Sequence, residues 1–249
     1  TPHTQSGLAG EAMVGSSELG SSTTSVPQGR GWAATFDSLK VRSFLYLWLG
    51  MLAMMASVQM QMLARGFLVY DITGSASLLG LVSAGSAVPI LVLSLIGGAV
   101  ADRFDRKRVI QVAQAVSGIG AVAVGIAIST NVLIWHHLLI IAVVQGGIWA
   151  FLMPARQAII PQLVGQHRLS NAVALNTAGM SAMTLASPAI GGALYAWQGP
   201  AFVYYTITAL ALAAVVFTTL VPATSVGTVR SEAPMLRDIL AGLSYIRAT

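Results

Sequence analysis

From residue 43 to residue 221 the chain alternates long apolar runs with short polar breaks, and the run lengths decide the elements. About 20 apolar residues, rising 1.5 Å each, cross the hydrocarbon core of a bilayer as a helix. Between Arg42 and Arg65 lie 22 uncharged residues, enough for one span. The 30 between Asp71 and Asp102 make a second, entered through the turn-forming stretch "DITGSAS". The 47 between Arg108 and Arg156 exceed one helix, and the polar break near Asn131 divides them in two. The 61 between Arg168 and Arg230 are divided by "WQGP", where Gly199 and Pro200 punctuate a helix end and a helix start. The pattern predicts six spans, at about 43–69, 76–99, 108–129, 134–153, 171–196 and 201–221.

Composition agrees with this reading. Hydrophobic residues make up 55% of the chain and charged residues 8%, about a third of the charged fraction of a soluble domain. The excess of 13 Lys and Arg over 8 Asp and Glu has no aromatic-interleaved basic patch, so nucleic acid is not an expected partner. The basic residues instead report topology. With the N-terminus cytoplasmic, Arg30, Lys40, Arg42, the 103–108 cluster, Arg156, Arg168, Arg230, Arg237 and Arg247 all fall on the inner side, and none falls in the three outer turns. A multi-pass protein of the cytoplasmic (inner) membrane follows, with the lipid bilayer as its solvent. Zero cysteines remove a disulfide framework, a thiolate metal site and a cysteine nucleophile. No metal or other cofactor is expected.

Outside the spans, residues 1–36 are rich in Gly, Ser and Thr and bury too little apolar surface to fold, so they read as a disordered cytoplasmic tail. The six-helix bundle occupies residues 37–222. Residues 223–249 begin a cytoplasmic linker in which Met235, Leu236, Ile239, Leu240, Leu243 and Ile246 recur at helical spacing, as in an amphipathic helix.

Six charged residues crowd the stretch "GGAVADRFDRKRV", which the spans place at the inner turn between the second and third helices. Asp102 and Arg106 are four apart and can pair, and Asp105 is placed to cap the third helix. The stretch resembles the signature loop of the major facilitator superfamily, G-x-x-x-D-R-x-G-R-[RK]. Gly98, Asp102, Arg103, Arg106 and Lys107 match, while Asp105 stands where the pattern has Gly. "LVYDITGSAS", "MPARQAIIPQLV", "LSNAVALNTA" and "SPAIGG" are similar to stretches of its enterobactin-exporter-like and macrolide-efflux-like members. The resemblance implies an all-α membrane fold, with the six transmembrane helices forming the N-terminal half of a major facilitator fold. It also implies that the loop latches one conformation against the other half. A C-terminal six-helix half is then missing from this chain, which ends within the linker. The function implied is a secondary active transporter, an exporter of small amphipathic molecules by alternating access, with the proton as coupling ion. The alternative reading is a non-transporting six-span protein that binds or regulates a partner. No enzyme is expected, since the sequence has no G-x-S-G nucleophile and no nucleotide-binding loop.

Within the spans, Ser187, Pro188, Gly191 and Gly192 resemble the antiporter signature G-P-x-x-G-G, with Ser187 in the first Gly position, and mark a kink in the fifth helix. Span four keeps Gln145 and Gly146 of the R-x-x-Q-G exporter signature but has Ala142 at the Arg position. Gln59, Gln61, Arg65 and Gln145 are the candidate cavity residues, because polar groups avoid lipid. Gln59 and Gln61 are two apart and cannot share a face. One lines the cavity and the other bonds a neighbouring helix, and the sequence does not say which. Arg65 lies about 33 Å along a helix from Arg42, near the outer boundary, where the spacing favours snorkelling to the interface.

Overall fold

The computed structural model describes residues 37–94 and 105–222, and these are all-helical. After a short turn at Asp37–Lys40 come α1 (Arg42–Thr73), α2 (Ala76–Ser94), α3 (Arg106–Ser129), α4 (Trp135–Val164) and α5 (Leu169–Leu220). All five are long and apolar enough to cross a membrane. The N-terminal tail, the linker with its amphipathic pattern, and Gly98, Asp102 and Arg103 lie outside the described residues.

The helix α5 contains two of the expected spans. Its helical hydrogen bonding continues past Gly199, but that residue has φ 80° and ψ 177°, a conformation closed to residues with a Cβ. The chain reverses there, as contacts with α1 show. Trp48 meets Leu175 and Asp71 meets Tyr195, so α1 and the first limb (169–198) run parallel. Gly50 meets Thr218 and Ser57 meets Ile207, so the second limb (200–220) runs antiparallel to α1. Six apolar segments therefore alternate in direction among the described residues, with the break where "WQGP" predicts it.

Two boundaries differ from the sequence expectation. The helix α1 runs four residues further, to Thr73, where Gly74 closes it with a left-handed C-cap. Ser75 then caps α2, its Oγ accepting from the Leu78 amide. The helix α4 continues eleven residues beyond 153, through Pro154 and Pro161. Proline within a helix is tolerated when neighbours serve the freed backbone. Here the Arg106 Nη1 donates to the Ala158 carbonyl at 3.0 Å, one residue beyond the carbonyl that Pro161 leaves without its helical donor.

The bundle is held at close contacts rather than by a gradient of hydrophobicity, as expected where lipid is as apolar as the core. One apolar cluster, around Phe44, Met54, Ile110, Leu152 and Ile159, fills the end near the start of α1. A second, around Leu68, Val124, Leu138, Tyr204 and Ile207, fills the other end. The helix α2 stays at the margin and is mostly exposed, Val82 being its one buried residue among those described.

Candidate functional site

On α1, residues 55, 59, 62, 66 and 70 recur every three or four positions and so share one face. On the first limb of α5, residues 177, 181, 184 and 188 do the same. Because these segments run parallel, the two stripes lie side by side and bound two cavities on one flank. The first, of 410 Å³, is lined by Met55 of α1 and by Thr177, Met180, Ser181, Thr184 and Leu185 of α5. The second, of 550 Å³, is lined by Gln59, Met62, Gly66, Phe67 and Tyr70 of α1, Leu79 of α2 and Pro188 of α5, with Leu63. Among the described residues, no charged side chain lines either one.

The three hydroxyls of the first cavity, Thr177, Ser181 and Thr184, are exposed on one face of the first limb of α5. A hydroxyl stripe on that face is suited to water, a solute or another helix rather than to acyl chains. Methionines 55, 62 and 180 add polarizable, flexible walls that adapt to ligands of different shape. The cavities end at a rim where the Tyr195 hydroxyl donates to the Asp71 carboxylate at 2.6 Å. The Tyr195 ring packs on Phe67 with centroids 5.5 Å apart, tilted 59°. This rim joins α1 to the first limb.

Of the four cavity candidates, the structure brings only Gln59 to these cavities, together with Pro188 of the predicted kink. Gln61 points the other way, buried at 2% exposure, and its Nε2 has no partner. Gln145 is buried between α3 and α4, where its Oε1 accepts from the Ser117 hydroxyl at 3.4 Å. Arg65 is 8% exposed, so most of its side chain is enclosed by the bundle. Around the kink, Ser187 is buried, Gly191 lies against Met60 and Gly192 against Leu63, so the small residues set the α1 contact.

The described part of the charged loop makes contacts within this bundle. The Asp105 side chain caps α3, its Oδ1 accepting from the Lys107 amide at 2.9 Å. The Lys107 Nζ donates to the carbonyls of Thr219, at 3.0 Å, and of Val221. These are the last acceptors of a helix C-terminus, the favourable place for a cation. Arg106 serves α4 as described above. Both cations therefore tie α3 to its neighbours.

Several residues escaped the sequence reading. Arg156, counted there with the inner-face charges, is 5% exposed inside the extended α4, and its Nη1 and Nη2 have no partner among the described residues. Tyr204 is wholly buried, with a hydroxyl that has no partner among the described residues. The hydroxyl stripe of α5 was detectable as polar residues at helical spacing within an apolar run. Tyr204 sends no comparable signal.

Comparison with known proteins bears on this geometry. The profile of the family described as transmembrane secretion effector matches residues 33–249. Among curated proteins, the enterobactin exporter EntS of Shigella boydii serotype 18 is 32% identical over 213 residues, covering 81% of this chain and 46% of the relative. The protein of the same name from Escherichia coli strain SE11 matches with the same identity and coverage. The chain thus spans about half the length of the curated relatives it matches.

Proposed function

The chain belongs to the transmembrane secretion effector family of the major facilitator superfamily, a family of transporters rather than enzymes, and from that premise we propose that the complete protein exports small amphipathic molecules. The substrates are of the siderophore, macrolide or drug-like class, and the flank of α1 and α5 forms one wall of their path. The observation that carries this reading is the pair of charge-free cavities, lined by hydroxyls, thioethers and one amide. Such a wall offers hydrogen bonds and apolar contact to an amphipathic solute without the fixed charge that a phosphate or carboxylate substrate would call for.

In this reading a second six-helix half faces the flank and the site lies between the halves, as in transporters built from repeats. The protein sits in the inner membrane with its N-terminus cytoplasmic, which the distribution of Lys and Arg supports. Proton influx drives alternating access. The loop containing Gly98, Asp102 and Arg103 latches one state against the other half, so Asp102→Asn lowers transport while abundance in the membrane stays near normal. Wild-type transport by that variant would leave the loop as a topology anchor.

Efflux measured in everted vesicles tests the proposal, using a catechol siderophore and a macrolide, each with and without a protonophore. Expected is gradient-dependent accumulation that Gln59→Leu and Thr184→Val each reduce about three- to tenfold, the loss of one or two hydrogen bonds. Accumulation that ignores the protonophore removes proton coupling. Inward transport of a nutrient by the intact protein overturns the export reading. Absence of any transport, with a stable complex to another membrane protein, favours the partner-binding alternative.

A further inference from the structure

The side of α1 turned away from the cavities carries a second constellation. Ser57, Gln61 and Arg65 recur every four residues there, and the Ser57 hydroxyl donates to the Ile207 carbonyl at 3.2 Å, which fixes that face against the second limb of α5. Tyr204 lies one turn from Ile207 toward the Arg65 level, because the two helices are antiparallel. Gln61 and Tyr204 are 2% and 0% exposed, and the Gln61 Nε2 and the Tyr204 hydroxyl are buried with no partner among the described residues. Arg65 is close enough to Tyr204 to interact with it electrostatically. Among the described residues Arg65 has no ion pair. Asp71 stands six positions further along α1, on another face, with its carboxylate engaged by Tyr195.

Three donors therefore meet here, a guanidinium, an amide N–H and a phenolic O–H, with no anionic group beside them among the described residues. A buried guanidinium needs a counter-charge, since removing it from water costs several kcal/mol. Water satisfies hydrogen bonds but leaves the charge uncompensated. A small monovalent anion does both. The 8% of Arg65 that stays exposed gives such an ion a way in.

We propose that Arg65, Gln61 and Tyr204 form a binding site for a small monovalent anion, chloride in the cell, between α1 and the second limb of α5. The ion neutralises Arg65 inside the bundle and accepts hydrogen bonds from the Gln61 amide and the Tyr204 hydroxyl. It lies behind α1, away from the cavities assigned to substrate, so the site stands whether or not that assignment does.

Equilibrium dialysis of the full-length protein in detergent with radioactive chloride, at constant ionic strength in gluconate, tests the site. Expected is saturable binding of one chloride per chain, displaced by bromide and not by gluconate. Arg65→Gln abolishes it. Tyr204→Phe keeps the ring and its packing but removes one donor, and weakens chloride binding about tenfold. Three results would each overturn the proposal: no saturable chloride binding by the wild type, Arg65→Gln binding as the wild type does, or Tyr204→Phe binding with unchanged affinity.

Discussion

Gly146 leaves no room for a methyl group, since a Cβ there would overlap the Ser86 carbonyl oxygen and stand 2.9 Å from two further backbone atoms of that residue. Backbone of α2 cannot move aside as a flexible side chain would. Gly146→Ala is expected to destabilise the protein by about 1–3 kcal/mol. Gly147→Ala, whose nearest neighbour is the terminal methyl Leu93 Cδ1 at 3.5 Å, should be nearly neutral. Thermal unfolding of the two variants in detergent checks the contrast, and equal melting temperatures would refute it. Residue identities gave notice of polar groups inside spans without saying what each faces. Gln59 and Gln61 are the same residue two positions apart, one lining a cavity and the other sealed behind the helix. The 200° between them on a helix required opposite faces, but choosing between the faces required α5.

Among the elements, α3 begins as its sequence predicts, with Asp105 capping the first turn. Asp105→Ala should cost about 0.5–2 kcal/mol, read as a lower melting temperature, while Asp105→Asn should retain most of the stability because Asn caps almost as well. A variant with alanine at 105 as stable as the wild type would show that Lys107, bound to the end of α5, suffices to fix this helix start. The extension of α4 through two prolines was not legible, because proline ordinarily ends a helix, and the contact that Arg106 makes to this stretch comes from another helix. The reversal at Gly199 was legible, because Gly-Pro is a strong local signal and two 20-residue spans require a turn between them.

At the scale of the whole molecule, the flank of α2 and the first limb of α5 is open. Leu91 is 70% exposed and Leu185 is 82% exposed, side chains that lipid or a protein partner can cover equally well. The neighbouring hydroxyls separate the two cases. Since the chain contains no cysteine, single substitutions report accessibility directly. With the complete protein in membranes, Ser181→Cys is expected to react with a membrane-impermeant maleimide and Leu91→Cys is not. Bound substrate should slow the reaction at 181 several-fold. Failure of Ser181→Cys to react in any condition would mean that this face is packed dry, and the proposed path would have to lie elsewhere.

The sequence by itself determined that the chain is a membrane-spanning helical protein, where most of the described spans begin, and the family to which it belongs. These follow from quantities that local order carries: the thickness of hydrocarbon sets the run length, the cost of burying charge pushes Lys and Arg to the ends, and motifs are contiguous in the chain. Tertiary structure alone decided which side of each helix is enclosed. In a soluble helix hydrophobic periodicity marks the buried face, but here lipid and core are equally apolar, and that signal nearly vanishes along α4. For this reason Arg65 and Arg156 read as boundary charges in the sequence and lie buried in the fold, and the Gln61, Arg65 and Tyr204 grouping exists only once α1 and the second limb of α5 are packed antiparallel.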